Sequence, residues 1–339
     1  MRFEFYTAKL DSVPKLSVDG TVPNSIHFSH WQGNETPAEV KADTSTEIAL
    51  NLIAAPNRLE LTRGIEIVTN NHFDTDGVLS VWTVLTGARA LDLREKLIAA
   101  AEVGDFSDFP NDAAVRASIV IQGPDQAGAD NETGSPLARR LAGEEVKDDA
   151  RAYELVLPEV ERVLTNIDAY EPLWRKGWDQ IATALESFER GTSAVQELVQ
   201  AGLSFVTLGP EAFGRSGFDP NQHSIPYPVI SRYARGQLYV IVTPFRDGWY
   251  YQIDYPYYSW AETVIRPRIP RRDLEGLIAS FNKLEQGLGR WLADDREMTS
   301  AAKVLDGAGL HAGSSLKPEA TLKLFEERLA NDESSVARV

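Results

Sequence analysis

The first hundred residues alternate between extended and helical patterns of apolar residues. Apolar and polar positions alternate in "RFEFYTAKL", and short apolar runs predict strands in "KLSVDG", "SIHFSHW" and "RLELTRGIEIVTNN". The segments "DTSTEIALNLIAA", "VLSVWTVL" and "LDLREKLIAAAEVGDF" predict helices, the first with Asp43 or a neighbouring Thr or Ser as its N-cap. Strands that alternate with helices predict an α/β fold, with a mostly parallel sheet flanked by helices.

The pattern changes in the second third of the chain. From "NDAAVRASIV" to "AVQELVQAGL" it is mainly helical, apart from the acidic stretch "GPDQAGADNETGSP", which predicts a solvated loop. Strands return in "GLSFVTLG" and in "QLYVIVTPFRDGWYYQIDYPYYSW", which predicts a hairpin with Asp247-Gly248 at its turn. A helix over "RRDLEGLIASFNKLEQGLGRWL", a Gly-rich turn and a short helix follow. We expect an α/β domain with a helical insertion (1–205), a smaller α+β domain that binds substrate (206–330) and a disordered tail (331–339).

Composition limits the chemistry and the compartment. Of the 339 residues, 43% are hydrophobic and 25% are charged, which is typical of a globular protein. The chain has no cysteine, so disulfides, thiolate metal ligands and thiol catalysis are excluded. "MRFEFYTAKLDSVPK" lacks the apolar core of a signal peptide, and no apolar run approaches the roughly 18 residues of a membrane span. We therefore expect a cytoplasmic protein with no membrane partner.

The net charge of −16, from 50 acidic and 34 basic residues, bears on the kind of partner. Proteins that grip long duplex nucleic acid usually present a basic surface to its phosphates. An acidic chain instead favours a small phosphorylated substrate or a short oligonucleotide, with no long duplex expected. The sequence also lacks a P-loop, a dinucleotide-binding GxGxxG turn and a GxSxG nucleophile elbow.

The stretch "VTNNHFDTDGVLSVW" carries the most specific chemistry. An apolar run ends in His72, Asp74 and Asp76, which are two residues apart, and a helical pattern follows. In an extended chain such positions share one face, so their side chains can converge. Carboxylates with an imidazole suit Mn²⁺ or Mg²⁺. The alternative is an ordinary polar turn between a strand and a helix.

Three other segments end in residues of the same type. Asp19 closes the strand "KLSVD", His30 ends "SIHFSH", and Asp105 closes the helix in "AAAEVGDF". Each of them alone is typical of a turn, a cap or a core histidine. In a parallel sheet, however, the carboxyl ends of the strands lie at one edge, where ligands bind. Their joint arrangement therefore predicts a shared metal site.

These segments resemble the motifs of the DHH phosphoesterase superfamily. "NNHFDTDGVLSVW" resembles its first motif, in which a strand ends in His-x-Asp-x-Asp and a small residue, here Ser80, follows on the helix. "LSVDG" resembles the second motif, "SHWQGNETPAEVKADTSTEIALNL" the third and "GDF" the fourth. Two departures are evident: motifs two and three precede motif one, as in a circular permutation, and Trp31 stands where the second histidine of the Asp-His-His run is expected.

The resemblance implies two Mn²⁺ or Mg²⁺ ions and hydrolysis of a small phosphoester, phosphodiester or phosphoanhydride by an activated water. Asp19 would bridge the ions, and Asp76 and His30 would be the catalytic residues among the ligands. The implied metal ligands are His72, Asp74, Asp76, Asp19, His30 and Asp105.

Candidate substrate-binding residues lie near the C-terminus. "DGAGLHAGSSLKPEATLKLFEERL" resembles the Gly-Gly-Gly-His turn that accompanies many such enzymes, which implies that Gly309, His311 and Ser314 lie near a phosphate. "VIRPRIPRRDL" adds Arg266 and Arg268, whose guanidinium groups suit phosphate. A glycine-rich surface loop and a solvated charged edge are the alternative interpretations.

Two other functions are compatible with the same residues. One is a non-catalytic metal- or nucleotide-binding protein on a degenerate DHH-like scaffold, since Trp31 replaces a histidine of the pattern. The other is a scaffolding protein whose acids are simple turns. Oligonucleotides, cyclic dinucleotides and pyrophosphate all stay open as substrates, and a homodimer is one open arrangement of the chain.

Overall fold

The computed structural model describes residues 1–122, 135–214, 217–294 and 298–329. The chain divides into two compact units, Met1–Asp179 with Trp260–Arg268, and Gln180–Ser259 with Ile269–Val339. The predicted boundary at 205/206 stays a prediction. The predicted solvated loop, apart from its last two residues, and the predicted disordered tail over 331–339 lie outside the described residues.

The first unit is built on a four-stranded sheet in which every pair is parallel. In space the strands follow the order β1-β4-β2-β3. Their bounds are β1 (Arg2–Phe3), β2 (Lys15–Val18), β3 (Ser25–Phe28) and β4 (Ile67–Thr69). Together with the helices around it, this sheet confirms the predicted α/β class.

Nine α-helices start in the described part of the first unit. They are α1 (Ser45–Ala54), α2 (Arg58–Leu61), α3 (Thr75–Thr86), α4 (Arg94–Phe106), α5 (Asp112–Ile121), α6 (Pro136–Ala142), α7 (Asp149–Val156), α8 (Val160–Thr165) and α9 (Glu171–Glu189). Side-chain oxygens cap α1 and α3, where Thr44 accepts the Glu47 N–H and Asp74 accepts the Gly77 N–H. None of the helices described in either unit is long and apolar enough to cross a membrane.

One predicted strand of this unit is partly wrong. In "RLELTRGIEIVTNN" only Ile67–Thr69 is extended, and the first four residues form α2. The amides of Glu60 and Leu61 both donate to the carbonyl of Asn57, so their hydrogen bonds are satisfied locally. The alternation of apolar residues in this short stretch therefore does not reflect a buried sheet face, and Leu59 is 79% exposed.

The second unit contains a mixed six-stranded sheet in the order β5-β6-β7-β8-β10-β9. Only β6 and β7 are parallel, and the other pairs are antiparallel. The strands are β5 (Ala194–Leu198), β6 (Leu203–Thr207), β7 (Leu238–Phe245), β8 (Gly248–Asp254), β9 (Arg290–Ala293) and β10 (Ser300–Leu305). The helices described here are α10 (Tyr227–Tyr233), α11 (Glu275–Leu284) and α12 (Pro318–Leu329). This is the predicted α+β portion.

The predicted hairpin is present, but its turn is shifted by one residue: Phe245 pairs with Gly248, so Arg246 and Asp247 form the turn and Gly248 begins β8. One helical prediction is wrong here, and another is too long. The stretch Ala194–Leu198 is a strand that pairs with β6. The helix predicted over "RRDLEGLIASFNKLEQGLGRWL" ends at Leu284, before two glycines that disfavour a helix. Trp291, which follows them on β9, is fully buried against Phe281.

Candidate metal centre

All six predicted metal ligands meet at one end of the first unit. They form two groups that could each hold a metal ion, and within each group the ligand atoms lie within 4.8 Å of one another. One group is Asp19, His30, Asp76 and Asp105, and the other is Asp19, His72 and Asp74. The residues follow the carboxyl ends of β2, β3 and β4, begin α3 or lie near the end of α4. Parallel strands bring their carboxyl ends to one edge, which explains the convergence.

Asp19 belongs to both groups. It directly follows β2, has a φ of +61° and is fully buried. Its Oδ2 lies 2.8 Å from Nε2 of His72, while its Oδ1 accepts a hydrogen bond of 3.0 Å from the Ser45 hydroxyl and lies 3.8 Å from Nε2 of His30. Burial opposes ionisation of this carboxyl, but the two imidazoles outweigh burial and lower its pKa to about 2.

The imidazole of His30 is fully buried among carboxylates. Its Nε2 is 3.0 Å from Oδ2 of Asp105, and its Nδ1 is 3.6 Å from Oδ2 of Asp76. Neither ring nitrogen forms a hydrogen bond of good geometry to any atom in the described part of the chain. Buried polar atoms normally have partners. Ring nitrogens that are surrounded by carboxylates yet lack such bonds fit a divalent cation placed between them.

The carboxylate of Asp76 is oriented by the beginning of another helix. Its Oδ2 and Oδ1 accept the backbone N–H groups of Ser45 and Thr46, each at 2.7 Å. These amides open α1 and have no partner within that helix. Burial, together with the carboxylates of Asp105 and Asp19, raises the pKa of Asp76 well above its usual range.

The second group is more open to solvent. The side chain of His72 is 28% exposed, and its Nε2 also lies 3.2 Å from Oδ2 of Asp74. The other oxygen of Asp74 caps α3 by accepting the Gly77 N–H at 2.7 Å. Burial opposes protonation of His72, but the Asp74 and Asp19 carboxylates outweigh it and raise the pKa of His72 well above its usual range.

The carboxylates at this end of the sheet therefore lie close enough to repel one another when they are ionised. The pKa of Asp105 is also raised well above its usual range, first by burial and then by the Asp74 and Asp19 carboxylates. Four carboxylates and two imidazoles provide only oxygen and nitrogen donors. This donor set fits a hard or borderline divalent cation, whose charge would relieve the repulsion.

Comparison with known proteins assigns the chain to a family but does not establish an activity. The model of a family described as "Family of unknown function (DUF6687)" matches residues 1–323. The chain belongs to this family. No curated protein matches it. Among solved structures, the pGpG-specific phosphodiesterase PggH from Vibrio cholerae aligns over 87% of this chain and 80% of its own, with 11% sequence identity and a TM-score of 0.33. A likeness this low establishes neither a shared fold nor a shared activity.

Two residues that the sequence did not single out hold the second group in this DUF6687 protein. The buried amide of Asn70 accepts the Gly20 N–H at 3.0 Å and donates to the hydroxyl of Tyr153, also at 3.0 Å. Tyr153 in turn donates to the backbone carbonyl of His72 at 3.0 Å. Asn70 lies inside the quoted "VTNNHFDTDG" stretch, whereas Tyr153 is on α7, where the sequence carries no signal of such a role.

Two tryptophan side chains pack against the site. The ring of Trp31 lies 5.6 Å from that of His72 and 4.9 Å from that of Trp260. Trp260 also contacts the ring of His30 at 5.0 Å and is only 8% exposed. Trp31 thus packs beside the more exposed ligand group, and Trp260 covers the buried one.

Arg266, predicted to bind substrate, is already bonded to protein carboxylates. It donates to Asp43, Glu102 and Asp108 at 2.7–2.8 Å. Arg268, in the same unit, is exposed. A phosphate contact by either arginine stays a prediction, and for Arg266 it competes with three existing ion pairs.

Gly309, His311 and Ser314 lie in the second unit. Two backbone amides of the glycine-rich turn are already bonded to a carboxylate of the chain. The Ala308 and Leu310 N–H groups donate to Asp306 at 2.8 and 3.0 Å. The ring of His311 contacts that of Tyr250 at 5.3 Å, and the Ser314 hydroxyl donates to Glu285 at 2.5 Å. The role of these three residues at a phosphate stays a prediction.

We expect Gly104→Ala to destabilise the first unit and to disturb the site. A Cβ at Gly104 would lie 2.6 Å from Cβ of Thr75. Thr75 is fully buried and stands between Asp74 and Asp76 in the sequence. Overpacking costs about 1–3 kcal/mol, against a gain of about 0.5–1 kcal/mol for alanine in a helix. Denaturant unfolding should show a net loss, and Mn²⁺ affinity should fall because α4, which carries Asp105, is pushed from α3.

The control for this substitution is Gly276→Ala. Gly276 lies on α11, and a Cβ built there has no atom within 4 Å apart from its chain neighbours and the backbone of its own helix. Alanine should therefore raise the free energy of unfolding at this position, by about 0.5–1 kcal/mol. Equal stability of the Gly104→Ala and wild-type proteins would contradict the close contact between α3 and α4.

Proposed function

We propose that this protein is a metal-dependent phosphoesterase that hydrolyses a small phosphoester, phosphodiester or phosphoanhydride. One observation carries the proposal: Asp19 is shared by two adjacent groups of possible ligands. A carboxylate in that position can bridge two ions, and paired ions about 3.5–4 Å apart are typical of phosphate-ester hydrolysis. The four carboxylates favour Mn²⁺ or Mg²⁺. In this proposal one ion is held by Asp19 with His30, Asp76 and Asp105, and the other by Asp19 with His72 and Asp74.

Bound cations would supply a nucleophilic water at neutral pH and would neutralise charge on the phosphoryl oxygens. The chain itself contributes rigidity and shielding. Backbone amides of α1 hold both oxygens of Asp76, and the Ser45 hydroxyl holds Asp19. Trp260 and Phe106 pack around the ring of His30 and exclude solvent from the buried group. Ligands fixed in this way need little reorganisation during the reaction.

The two groups differ in access, which suggests the direction from which substrate approaches. His30 and Asp19 have fully buried side chains, whereas those of His72 and Asp74 are 28% and 18% exposed. We therefore place the substrate on the side of His72 and Asp74. In the absence of metal the imidazole of His72 keeps its proton between Asp19 and Asp74, and it must release that proton before Nε2 can act as a ligand.

Binding without turnover is the second candidate. The observation that favours it is the position of Trp31, whose ring contacts His72 beside the open side of the site. An indole N–H can donate a hydrogen bond but does not transfer a proton at neutral pH. If a reaction needs a protonated leaving group, Trp31 cannot provide the proton.

The deciding experiment replaces one ligand from each group. The Asp74→Ala, Asp76→Ala double variant should lose Mn²⁺-dependent hydrolysis of bis(p-nitrophenyl) phosphate, a dinucleotide or pyrophosphate. Since a single electrostatic contact is worth about 10²–10³ in rate, the loss should be at least on the order of a thousand-fold. Initial rates at saturating Mn²⁺ would measure it.

A matched double variant separates the site from the general acidity of the chain. Asp92 and Glu95 are exposed carboxylates of the same unit, and Asp92→Ala with Glu95→Ala should leave the rate unchanged. Wild-type rates in the Asp74, Asp76 variant would show the proposed mechanism to be wrong. Tight Mn²⁺ binding without hydrolysis of any of these substrates would favour the second candidate.

A further inference from the structure

The segment Trp260–Arg268 belongs to the first unit, although the chain on both sides of it belongs to the second. It reaches the buried ligand group at three points. The first is His30, whose backbone carbonyl accepts the Glu262 N–H at 2.7 Å and whose ring contacts that of Trp260. The segment therefore fixes both the backbone and the ring of one ligand.

The second point is the start of α1. The carboxylate of Asp43 accepts the backbone N–H groups of three successive residues, at 2.5, 2.8 and 3.1 Å. These residues are Val264, Ile265 and Arg266. Asp43 is only two residues before Ser45, whose amide holds Asp76. The position of α1, and with it that of Asp76, is tied to this segment.

The third point is the end of α4, and Arg266 makes the connection. Nη1 of Arg266 donates to Asp43 at 2.8 Å, while Nη2 donates to Glu102 and to Asp108, each at 2.7 Å. Glu102 and Asp108 flank Asp105 on both sides in sequence, and the guanidinium lies 4.8 Å from the ring of Phe106. One side chain, 19% exposed, thus joins the helix start that orients Asp76 to the helix end that carries Asp105.

We infer that Arg266 is a positioning residue that sets the distance between Asp76 and Asp105 and thereby permits a cation to bind the buried group. This inference rests on the proposed metal site and goes beyond it by assigning Arg266 a positioning role that acts through Asp43, Glu102 and Asp108. Only one ion should depend on Arg266. The more exposed group is held by other contacts, from Gly77 to Asp74 and from Tyr153 to His72.

The test counts Mn²⁺ ions bound to the purified full chain by equilibrium dialysis, with the electron paramagnetic resonance signal of free Mn²⁺ as the readout. Wild type should bind two ions. Arg266→Gln should retain one ion at wild-type affinity and bind the other about 10–100-fold more weakly, the usual cost of losing a residue that orients metal ligands. A merely structural role would weaken both ions together and lower the unfolding temperature.

Two arginines provide matched controls. Arg268→Gln removes an exposed guanidinium two residues away. Arg94→Gln removes another arginine that ties α4 to α1, through Glu47 at 3.2 Å and Asn51 at 2.9 Å, but at the opposite end of α4 from Asp105. Both variants should bind two ions as wild type does. Selective loss of one ion in Arg266→Gln alone supports the inference.

If Arg266→Gln binds two Mn²⁺ ions at wild-type affinity, the inference is overturned and the proposed function stands. A wild-type protein that binds no Mn²⁺ would overturn the proposed function and the inference together, so the two failures are distinguishable. If circular dichroism shows Arg266→Gln to be unfolded, Arg266→Lys takes its place. Lysine keeps the charge but has one nitrogen for three carboxylates, so the same ion should weaken; wild-type binding of both ions would then overturn the inference.

Discussion

Replacing Asp19 with asparagine is expected to abolish the binding of both metal ions, and with it any metal-dependent hydrolysis. Asp19 contributes a carboxylate oxygen to each ligand group, so a single substitution removes an anionic donor from both. Loss of a residue that merely orients a ligand costs about 10–100-fold in affinity, so loss of a shared ligand should cost more than about 100-fold. Asparagine is the better substitute than alanine because its backbone tolerates the φ of +61°.

Comparison with a ligand of only one group gives this prediction its control. Asp74→Asn should weaken one ion and leave the other bound, because Asp74 belongs only to the more exposed group. Equilibrium dialysis with Mn²⁺ on wild type and both variants distinguishes none, one and two bound ions. Two ions bound to Asp19→Asn at wild-type affinity would show that Asp19 does not bridge them.

Without metal, the protein is expected to become less stable as the pH rises above the ordinary carboxyl pKa of about 4. The pKa values of Asp76 and Asp105 are raised in the folded state, so these groups retain protons that the unfolded chain loses near its ordinary carboxyl pKa of about 4. Stability therefore declines from that pH up to the folded values. His72 acts in the same direction, since its raised pKa contributes stability that is fully present below about 6.5 and lost above it.

Asp19 does not change this decline in stability with rising pH. Its pKa is lowered to about 2, so its contribution is fully present above about 4 and is lost only as the pH falls towards 2. Bound Mn²⁺ should reverse the slope, because metal ligands must be deprotonated and affinity therefore rises with pH. At a hundred times the Kd, one bound ion stabilises the protein by about 2.7 kcal/mol.

Denaturant unfolding at several pH values, with chelator and with Mn²⁺, measures both slopes. Asp105→Asn should flatten the decline in the chelated protein, because the amide resembles the protonated acid and does not titrate. Asp92→Asn, at an exposed position, should leave the profile as it is. A chelated wild-type protein that is more stable at pH 9 than at pH 5 would contradict the crowding of buried carboxylates described above.

The sequence was sufficient for the elements that depend on local patterns. Strands β2 and β3, helix α1 with its Thr44 cap, and the hairpin of β7 and β8 follow from apolar runs, capping residues and an Asp-Gly turn. The convergence of the residues that follow β2, β3 and β4 was also predictable, because it needs only parallel strands that each end in a carboxylate or an imidazole. Asp105 needs more, because it lies on α4 and reaches the site through the packing of that helix.

Predictions failed where a partner distant in sequence decides the structure. Ala194–Leu198 has a helix-compatible pattern but is extended, since pairing with β6 satisfies its backbone along the edge of a sheet. In the opposite case, Arg58–Leu61 has an alternating pattern but forms a helical turn that satisfies its own amides. Short apolar patterns do not distinguish these outcomes, because the hydrogen-bond partner lies outside the window that is read.

The sequence by itself determined which chemical groups this protein can bring to a site: oxygen and imidazole donors at the ends of parallel strands, and no thiol. Only the tertiary structure decided how those groups are held. Arg266 lies some 160 residues after Asp105 in the chain, yet it bonds the carboxylates on either side of it. The basic stretch predicts a phosphate ligand, but the three carboxylates that Arg266 bonds are not evident from the sequence. Its role depends on which carboxylates the fold brings within reach, and that information is spread over the whole chain.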